Sequence, residues 1–289
     1  MPTGGTHLVE QWPFGNEGWH KDLIYFDNVD IGKNVFISPS ARIQGVNGKG
    51  KSIKIGDNCF IGERVVIMCD EFEIGDYGKI HHDTNIHGKS SCKIGHNFWC
   101  GQFTIIDATG KVTIGNNVGI GAHSQLWTHI KYGDTLAGCK WNKTKPLTLM
   151  DDVWLVGHCI VSPITAYPKS MALVGSVVTK DMEENQVYAG VPAKKSGMVQ
   201  FEDVSNEDRV SRMSDLIMEF AKVYFNEGHS SEVWNYLKIT DVITDDHLKD
   251  GASYFDPVTR TYTKKGTDIE REFMKFLLPE KAKFIAHVT

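Results

Sequence analysis

The chain has 289 residues, of which 41% are hydrophobic and 23% are charged, so it carries enough apolar material for a folded core and is not a disordered chain. Its 31 basic and 36 acidic residues leave a net charge of −5, which gives no general attraction to nucleic acids or anionic membranes. No apolar run is long enough to span a membrane, and the N-terminus lacks the basic and then apolar order of a signal peptide. The six cysteines form no CxxC pair, so we expect reduced thiols in a cytoplasmic protein.

The first 28 residues are rich in aromatic side chains and precede a long internal repeat. An open end of a repeat leaves strand edges unpaired, and such edges invite association with other chains. We therefore expect residues 1–28 to cap the first turn of the repeat.

A hexapeptide repeat occupies the middle of the chain. An aliphatic residue recurs every sixth position, and 18 of 20 such positions hold Ile, Leu or Val. The positions fall into groups, at 31, 37 and 43; 55, 61 and 67; 74, 80 and 86; 94, 100 and 106; 114, 120 and 126; 149, 155 and 161; and 167 and 173. This pattern predicts a coil with three flat sides, whose strands each point one apolar residue into a shared interior. The lengthened spacing after every third position predicts insertions that all leave from one corner.

The residue after each inward position differs between the three sides. It is glycine in the first hexad of each of the five groups before the longest insertion, which favours a corner that needs a backbone conformation other residues resist. On the third side the same position holds polar or bulky residues, and it leads into the insertion corner. We expect the chemistry there, although these side chains could instead coat a solvated face: Gln44, Met68, His87, Asp107 and Trp127.

The C-terminal segment, residues 198–289, loses the hexad spacing and predicts a small α+β appendage. Ser205 stands before a run with helical spacing and fits a helix N-cap. A strand, a turn and a second strand are expected over residues 253–263. Thr267 and Glu270 fit a capping box at the start of a last helix.

The repeat and its ending resemble the hexapeptide-repeat acyltransferases. The residues after the longest insertion read VWLVGHCIVSPITAYPKSMALVGSVVTKDMEENQVYAGVPAKK over 153–195. Within them, GSVVTKD at 175–181 and AGVPAK at 189–194 match the ending of that family closely. The resemblance implies acetyl-CoA-dependent acetyltransferases that act on sugars and small molecules.

The resemblance also implies the fold, which is a left-handed parallel β-helix. The handedness is a property of the family and does not follow from the spacing of the repeat. We therefore expect a mainly β protein with an N-terminal cap at 1–28, a β-helix acyltransferase domain at 29–197 with a loop at 127–148, and a C-terminal α+β appendage at 198–289.

The catalytic residues are expected around the long loop, which begins close to His129. The resemblance implies that a histidine at this place is the general base, and a histidine titrates near neutral pH as this role needs. It would deprotonate the attacking hydroxyl or amine directly, without a covalent acyl-enzyme. Asp107, one coil earlier, could orient His129 or bind a substrate hydroxyl. Gln102 falls within one residue of an Asn that often holds the tetrahedral oxygen in the family; an exposed or purely structural His129 is the alternative.

Acetyl-CoA is the expected acyl donor. The resemblance assigns its contacts to six residues: Trp154, Gly157, Ser176, Thr179, Lys180 and Lys194. The two lysines match positions that approach the phosphates, where compact cations are suitable. The motif VWLVG departs from the family because Val156 stands where the family has glycine, which affects the local coenzyme contacts.

The resemblance further implies a homotrimer and a sugar or nucleotide-sugar acceptor, as in the biosynthesis of cell-surface polysaccharides. No metal is expected. Gamma-type carbonic anhydrases share the fold and hold zinc with three histidines, but only His82 and His87 have the right spacing and the upstream histidine is missing. A non-catalytic scaffold, in which the coil binds a partner, is the other alternative.

Overall fold

A computed structural model describes residues 21–225 and 227–287, and within them the chain forms two compact units. The repeat unit ends at Glu202, and the C-terminal unit begins at Asp203. The first 20 residues of the predicted N-terminal cap lie outside the described residues. The predicted end of the β-helix, residue 197, falls within the last strand of the repeat unit.

The repeat unit consists of short strands that follow a 3-10 turn at Lys21–Leu23. In chain order they are β1 (Ile24–Ile31), β2 (Phe36–Ile37), β3 (Arg42–Gln44), β4 (Gly50–Ile55), β5 (Phe60–Ile61), β6 (Val66–Ile74), β7 (Lys79–Ile80), β8 (Asn85–Ile94), β9 (Trp99–Cys100), β10 (Ile105–Asp107), β11 (Val112–Ile114), β12 (Gly119–Ile120), β13 (Gln125–Leu126), β14 (His129–Ile130), β15 (Lys143–Thr144), β16 (Leu147–Leu149), β17 (Trp154–Leu155), β18 (Ile160–Val161), β19 (Thr165–Ala166), β20 (Met171–Ala172), β21 (Val177–Val178), β22 (Gln186–Ala189) and β23 (Lys194–Val199).

These strands pair mostly in parallel and stack into a coil with three sides, so the predicted mainly β fold class with a parallel β-helix is confirmed. The second side is the row β2, β5, β7, β9, β12, β17, β20 and β22. The third side is the row β3, β6, β8, β10, β13, β18 and β21, and β4, β11, β16 and β19 lie on the first side. Strands β6 and β8 continue around the corner from the third side to the first, which is the predicted insertion corner.

Inward residues of successive coils lie opposite one another and form the core. On the third side they are at most 1% exposed: Ile43, Ile67, Ile86, Ile106, Leu126, Val161 and Val178. Each buried aliphatic side chain contributes about 1.5–3 kcal/mol. The predicted inward positions 167 and 173 are wrong, because Leu149 pairs with Ala166 and Leu155 with Ala172, and Tyr167 is 45% exposed. The spacing between the inward residues Val161 and Ala166 is therefore one residue shorter than a hexad.

The corner glycines of the first side are needed because neighbouring coils approach each other closely there. They do not have an unusual backbone conformation. A Cβ on Gly56 would lie 2.6 Å from the backbone nitrogen of Asp76 in the next coil. The left-handed conformation falls two residues later, at Asn58, whose φ is 59°. Asparagine tolerates that region better than most residues. The predicted reason for these glycines is therefore corrected to a lack of space between coils.

The C-terminal unit has its own mixed sheet and helices. Its elements are α1 (Asn206–Tyr224), a 3-10 helix (Glu227–Asn235), β24 (Leu237–Ile239), α2 (Asp245–Lys249), β25 (Ser253–Asp256), β26 (Thr261–Tyr262), α3 (Asp268–Leu277) and β27 (Ile285–Ala286). Ser205 and Thr267 cap α1 and α3 as predicted. Only half of the predicted capping box forms, because the Glu270 carboxylate accepts from the backbone of Lys265 and Gly266 instead. No helix in the described part of the chain is long and apolar enough to cross a membrane.

Candidate active site

The long loop leaves the third side through a short hairpin. Strand β14 pairs antiparallel with β15, which places His129 opposite Thr144. The Lys145 backbone nitrogen also donates to the Thr128 carbonyl at 2.9 Å. These contacts hold the base of the loop against the coil, so His129 is placed by paired backbone rather than by a free loop.

Asp107 ends β10 and is completely buried beneath the start of this loop. Its Oδ2 accepts from the backbone nitrogen of Thr128 at 2.8 Å and from the Thr128 hydroxyl at 2.6 Å. Its Oδ1 accepts from the Thr109 backbone nitrogen at 3.1 Å and from the Thr109 hydroxyl at 2.6 Å. His129 Nδ1 lies 2.7 Å from Oδ2. The structure thus joins the predicted pair Asp107 and His129 directly.

This environment keeps Asp107 ionised. Burial by itself raises the pKa of the carboxyl group, but hydrogen bonds from Thr109, Thr128 and His129 outweigh it and bring the pKa well below its usual range. A charged Asp107 holds the proton of His129 on Nδ1, so the neutral imidazole presents an unprotonated Nε2. The His129 side chain is 26% exposed. The pair therefore has the arrangement of a general base and the carboxylate that orients it.

The neighbouring side chains form a row on the third side. Asp107 lies opposite His87, which lies opposite Met68. On the other flank of Asp107, Trp127 packs its ring edge-on to His129 with centroids 6.4 Å apart. The predicted chemistry-bearing face is thus continuous in the folded coil, because register partners in a sheet point to the same face.

Gln102 is not brought to this pair. It lies in the corner turn before β10, where its carbonyl accepts from the His123 backbone nitrogen at 2.9 Å. The rest of that corner turn and strand β10 lie between Gln102 and Asp107 along the chain. Among the described residues, no hydrogen bond joins the Gln102 side chain to His129 or Asp107.

The predicted coenzyme residues fall into two groups, and the first group lies within the coil or on its second side. Ser176 is completely buried, so in this structure it offers no atom to a ligand at the surface. Gly157 is also buried, with a φ of 145°. Trp154 is 46% exposed on β17 and lies over Gly119 of the neighbouring strand.

The second group lies on the surface at the C-terminal coil. Thr179 and Lys180 follow β21 and are exposed. The Ala193 backbone nitrogen donates to the Val177 carbonyl at 2.8 Å, which brings exposed Lys194 alongside the same strand. The structure thus places Thr179 and Lys180 at the end of the third-side strand β21, and Lys194 at the start of β23, after the Ala193 that bonds to β21.

Sequence reasoning missed the two threonines that hold Asp107. Their signal is present, since Thr128 directly precedes the histidine and Thr109 stands two residues after the aspartate. Hydroxyl groups so close to a carboxylate commonly bond to nearby backbone or side-chain acceptors. His82, considered for zinc, contacts Asp83 at 2.9 Å instead. In the part of the chain that is described, no three His, Cys, Asp or Glu side chains are grouped to hold a metal ion.

Known acetyltransferases are similar in sequence to part of this chain. No protein-family model matches the chain. It is 33% identical over 117 residues to the galactoside O-acetyltransferase of Escherichia coli K12, covering 39% of this chain and 54% of that protein. It is 34% identical over 109 residues to a putative acetyltransferase of Saccharomyces cerevisiae, covering 36% of this chain and 55% of that protein. The chain spans about half the length of these curated relatives.

Solved structures with a similar shape include a variant of AntD, an N-acyltransferase from Bacillus cereus in complex with dTDP and coenzyme A. It is 19% identical, covers 71% of this chain and 99% of that chain, and has a TM-score of 0.44. The resemblance predicted from the repeat and its ending is confirmed by the sequence relatives, which are named as acetyltransferases and include a galactoside O-acetyltransferase.

Proposed function

We propose that the protein is an acyltransferase that moves an acetyl group from acetyl-CoA to a hydroxyl or amino group of a sugar. The observation that carries this proposal is the Asp107–His129 pair, a partly exposed imidazole on a buried and ionised carboxylate. The pair lies at the base of the loop in a homologue of sugar acetyltransferases. The catalytic domain we propose is residues 29–197.

The mechanism follows from the protonation of the pair. His129 Nε2 takes the proton from the acceptor while the acceptor oxygen or nitrogen attacks the acetyl carbonyl. The new C–O or C–N bond forms, the C–S bond breaks, and the proton on His129 passes to the departing thiolate. Asp107 stays ionised and stabilises the imidazolium that forms between these steps. The developing oxyanion needs a fixed donor, and a backbone N–H is our candidate.

The donor site we propose lies at the C-terminal coil. Lys180 and Lys194 would approach the coenzyme phosphates. Thr179 would lie next to Lys180, directly after β21. The exposure of all three residues supports this assignment, as does the hydrogen bond from Ala193 to Val177, which brings the segment of Lys194 to β21. Trp154 and Gly157 would lie along the pantetheine arm. Ser176 would contribute only through its part in the corner beneath them.

The assembly we propose is a cytoplasmic homotrimer whose loops close the sites against neighbouring copies. The loop supports this because its tip carries large side chains that nothing in the described residues covers: Tyr132 is 102% exposed, Leu136 99% and Trp141 67%. Exposed apolar groups of this size are typical of contact surfaces. The acceptor we propose belongs to cell-surface polysaccharide or nucleotide-sugar chemistry.

The first test is calorimetric binding of acetyl-CoA without an acceptor. We expect micromolar affinity, about −8 kcal/mol, followed by sugar-dependent release of free thiol. Absence of binding at high concentration would contradict the proposed donor. Binding without thiol release for any sugar or amino sugar would contradict the proposed reaction.

A further inference from the structure

Strand β8 runs directly beside the reacting pair. Its residue His87 is the register partner of Asp107, and Asn85 is the register partner of Ile105 on β10. Strands in a sheet are about 4.8 Å apart, and residues two apart on one strand share a face. Asn85 and His87 therefore stand side by side on the outer face, one strand away from the carboxylate that orients His129.

Both side chains carry a polar atom without a partner. Asn85 Oδ1 and His87 Nδ1 are enclosed and have no hydrogen-bond partner among the described residues. A buried polar atom left unpaired costs about 1–3 kcal/mol, so such atoms in pairs are uncommon. Each residue as a whole is partly exposed. Both end in flat groups that turn about a broad χ2 torsion, so either atom can turn toward a molecule on the outer face.

The neighbouring carboxylate does not satisfy these atoms. Asp107 already accepts five hydrogen bonds, from two backbone nitrogens, two hydroxyls and His129. An amide oxygen is an acceptor only, and a neutral imidazole accepts at one nitrogen. The missing partner of Asn85 Oδ1 is therefore a donor, whereas that of His87 Nδ1 is a donor or an acceptor according to the tautomer of the ring. A hydroxyl group both donates and accepts, and it carries no charge, so it fits both atoms.

We propose that Asn85 and His87 bind the acceptor through two of its hydroxyl groups, beside the hydroxyl or amine that reacts. This inference rests on the proposed function and adds the two residues of β8 that hold the polyhydroxyl acceptor. The donor coil with Thr179 and Lys180 lies on the opposite flank of Asp107, so donor and acceptor would meet at His129 from two sides.

The experiment compares Asn85→Leu and His87→Leu with the wild type in a thiol-release assay. The acceptors are methyl pyranosides and their monodeoxy analogues. We expect each variant to raise the acceptor KM by about tenfold, the scale of one lost hydrogen bond, and to leave the acetyl-CoA KM unchanged. The deoxy analogue that lacks the bonded hydroxyl should have an acceptor KM about tenfold higher than the parent sugar with the wild type. With the matching variant, the same analogue should show no further rise in KM.

His229→Leu is the matched control, because His229 is an exposed histidine of the C-terminal unit that contacts Glu232. Its acceptor KM should equal that of the wild type. His87→Gln keeps hydrogen-bonding capacity and should restore part of the affinity for the acceptor. It replaces His87→Leu in the assay if the leucine variant fails to fold. Unchanged acceptor KM in Asn85 and His87 variants of an active enzyme would overturn this inference alone. A wild type that acetylates no polyhydroxyl compound would overturn the proposed function together with it.

Discussion

Asp107 is a charged side chain with no exposed atom, and it is stable there because every lone pair has a donor. Removing a carboxylate from water is costly, and several short hydrogen bonds offset that cost. The two threonines hold the carboxylate still, and the carboxylate in turn fixes the ring and tautomer of His129. The chemistry of the site therefore depends on residues that never touch the substrate.

His129→Ala should keep the fold and lower kcat by about 10²-fold or more, the scale of lost general-base catalysis. The reason is that no other unprotonated base is joined to Asp107. Steady-state thiol release measures this, and His229→Ala is the control with normal turnover expected. Near-normal kcat in the His129 variant would remove His129 from the mechanism.

Asp107→Asn should also lower kcat by about 10²-fold or more. The asparagine amide would donate to His129 Nδ1, which moves the proton to Nε2 and abolishes the base. The variant should also be less stable, by about 1–3 kcal/mol at neutral pH, because donors of Thr109 and Thr128 lose their acceptor. Kinetics and urea unfolding measure the two effects separately, and unchanged kcat would contradict the orienting role.

The pH dependence of that stability difference has a definite sign. The pKa of Asp107 is lower in the folded chain than its ordinary value, so its ionised form stabilises the fold above about pH 4. This contribution is lost as the pH falls further toward the folded-state pKa. The gap between wild type and Asp107→Asn should therefore narrow on acidification below pH 4, in urea titrations at several pH values. A gap that widens there would contradict the assignment.

Lys194→Ala should weaken acetyl-CoA binding and leave acceptor binding unchanged, because the proposed contact is with the coenzyme phosphates. Lys195→Ala is the matched control, since the adjacent Lys195 is already paired with Glu183. Calorimetric titration of both variants distinguishes them. Equal acetyl-CoA affinity in the Lys194 variant and the wild type would count against the assignment.

At the scale of the elements, the coil depends on how closely its strands approach at the corners. A Cβ on Gly121 would lie 1.9 Å from the carbonyl oxygen of Val156 in the next coil. The backbone of Val156 therefore leaves no room for a side chain at position 121, and the coil needs glycine there.

Gly121→Ala should lower the free energy of unfolding by about 1–3 kcal/mol, the usual cost of overpacking. Gly251→Ala is the control, because a Cβ there has no heavy atom within 4 Å and should change stability little. Chemical unfolding of both variants gives the comparison. A Gly121 variant as stable as the control would show that the coil spacing adjusts freely.

At the scale of the whole molecule, the proposed trimer gives a definite mass. Sedimentation of the purified protein should give three times the chain mass of 32.4 kDa. Replacing the exposed loop residue Trp141 with alanine should weaken the assembly if the loop tip packs on a neighbour, since large aromatic side chains dominate such contacts. A monomer at micromolar concentration would contradict the proposed closing of the site by another copy.

The amino-acid sequence by itself determined the three-sided coil, its inward residues and the loop that carries His129. It could do so because each coil contacts only the next, so a local period of six residues is enough to place a side chain inside or outside. The same reasoning failed at positions 167 and 173, where a corner is one residue short and only strand pairing shows the shift.

The tertiary structure alone decided what meets across the coils. It joined His129 directly to Asp107, separated Gln102 from them, buried Ser176 and set Asn85 and His87 beside the reacting pair. These contacts depend on side-chain directions and on how the loop pairs at its base, which the period of the repeat does not encode. The reason a glycine stands at each corner was likewise visible only once the neighbouring backbone was in place.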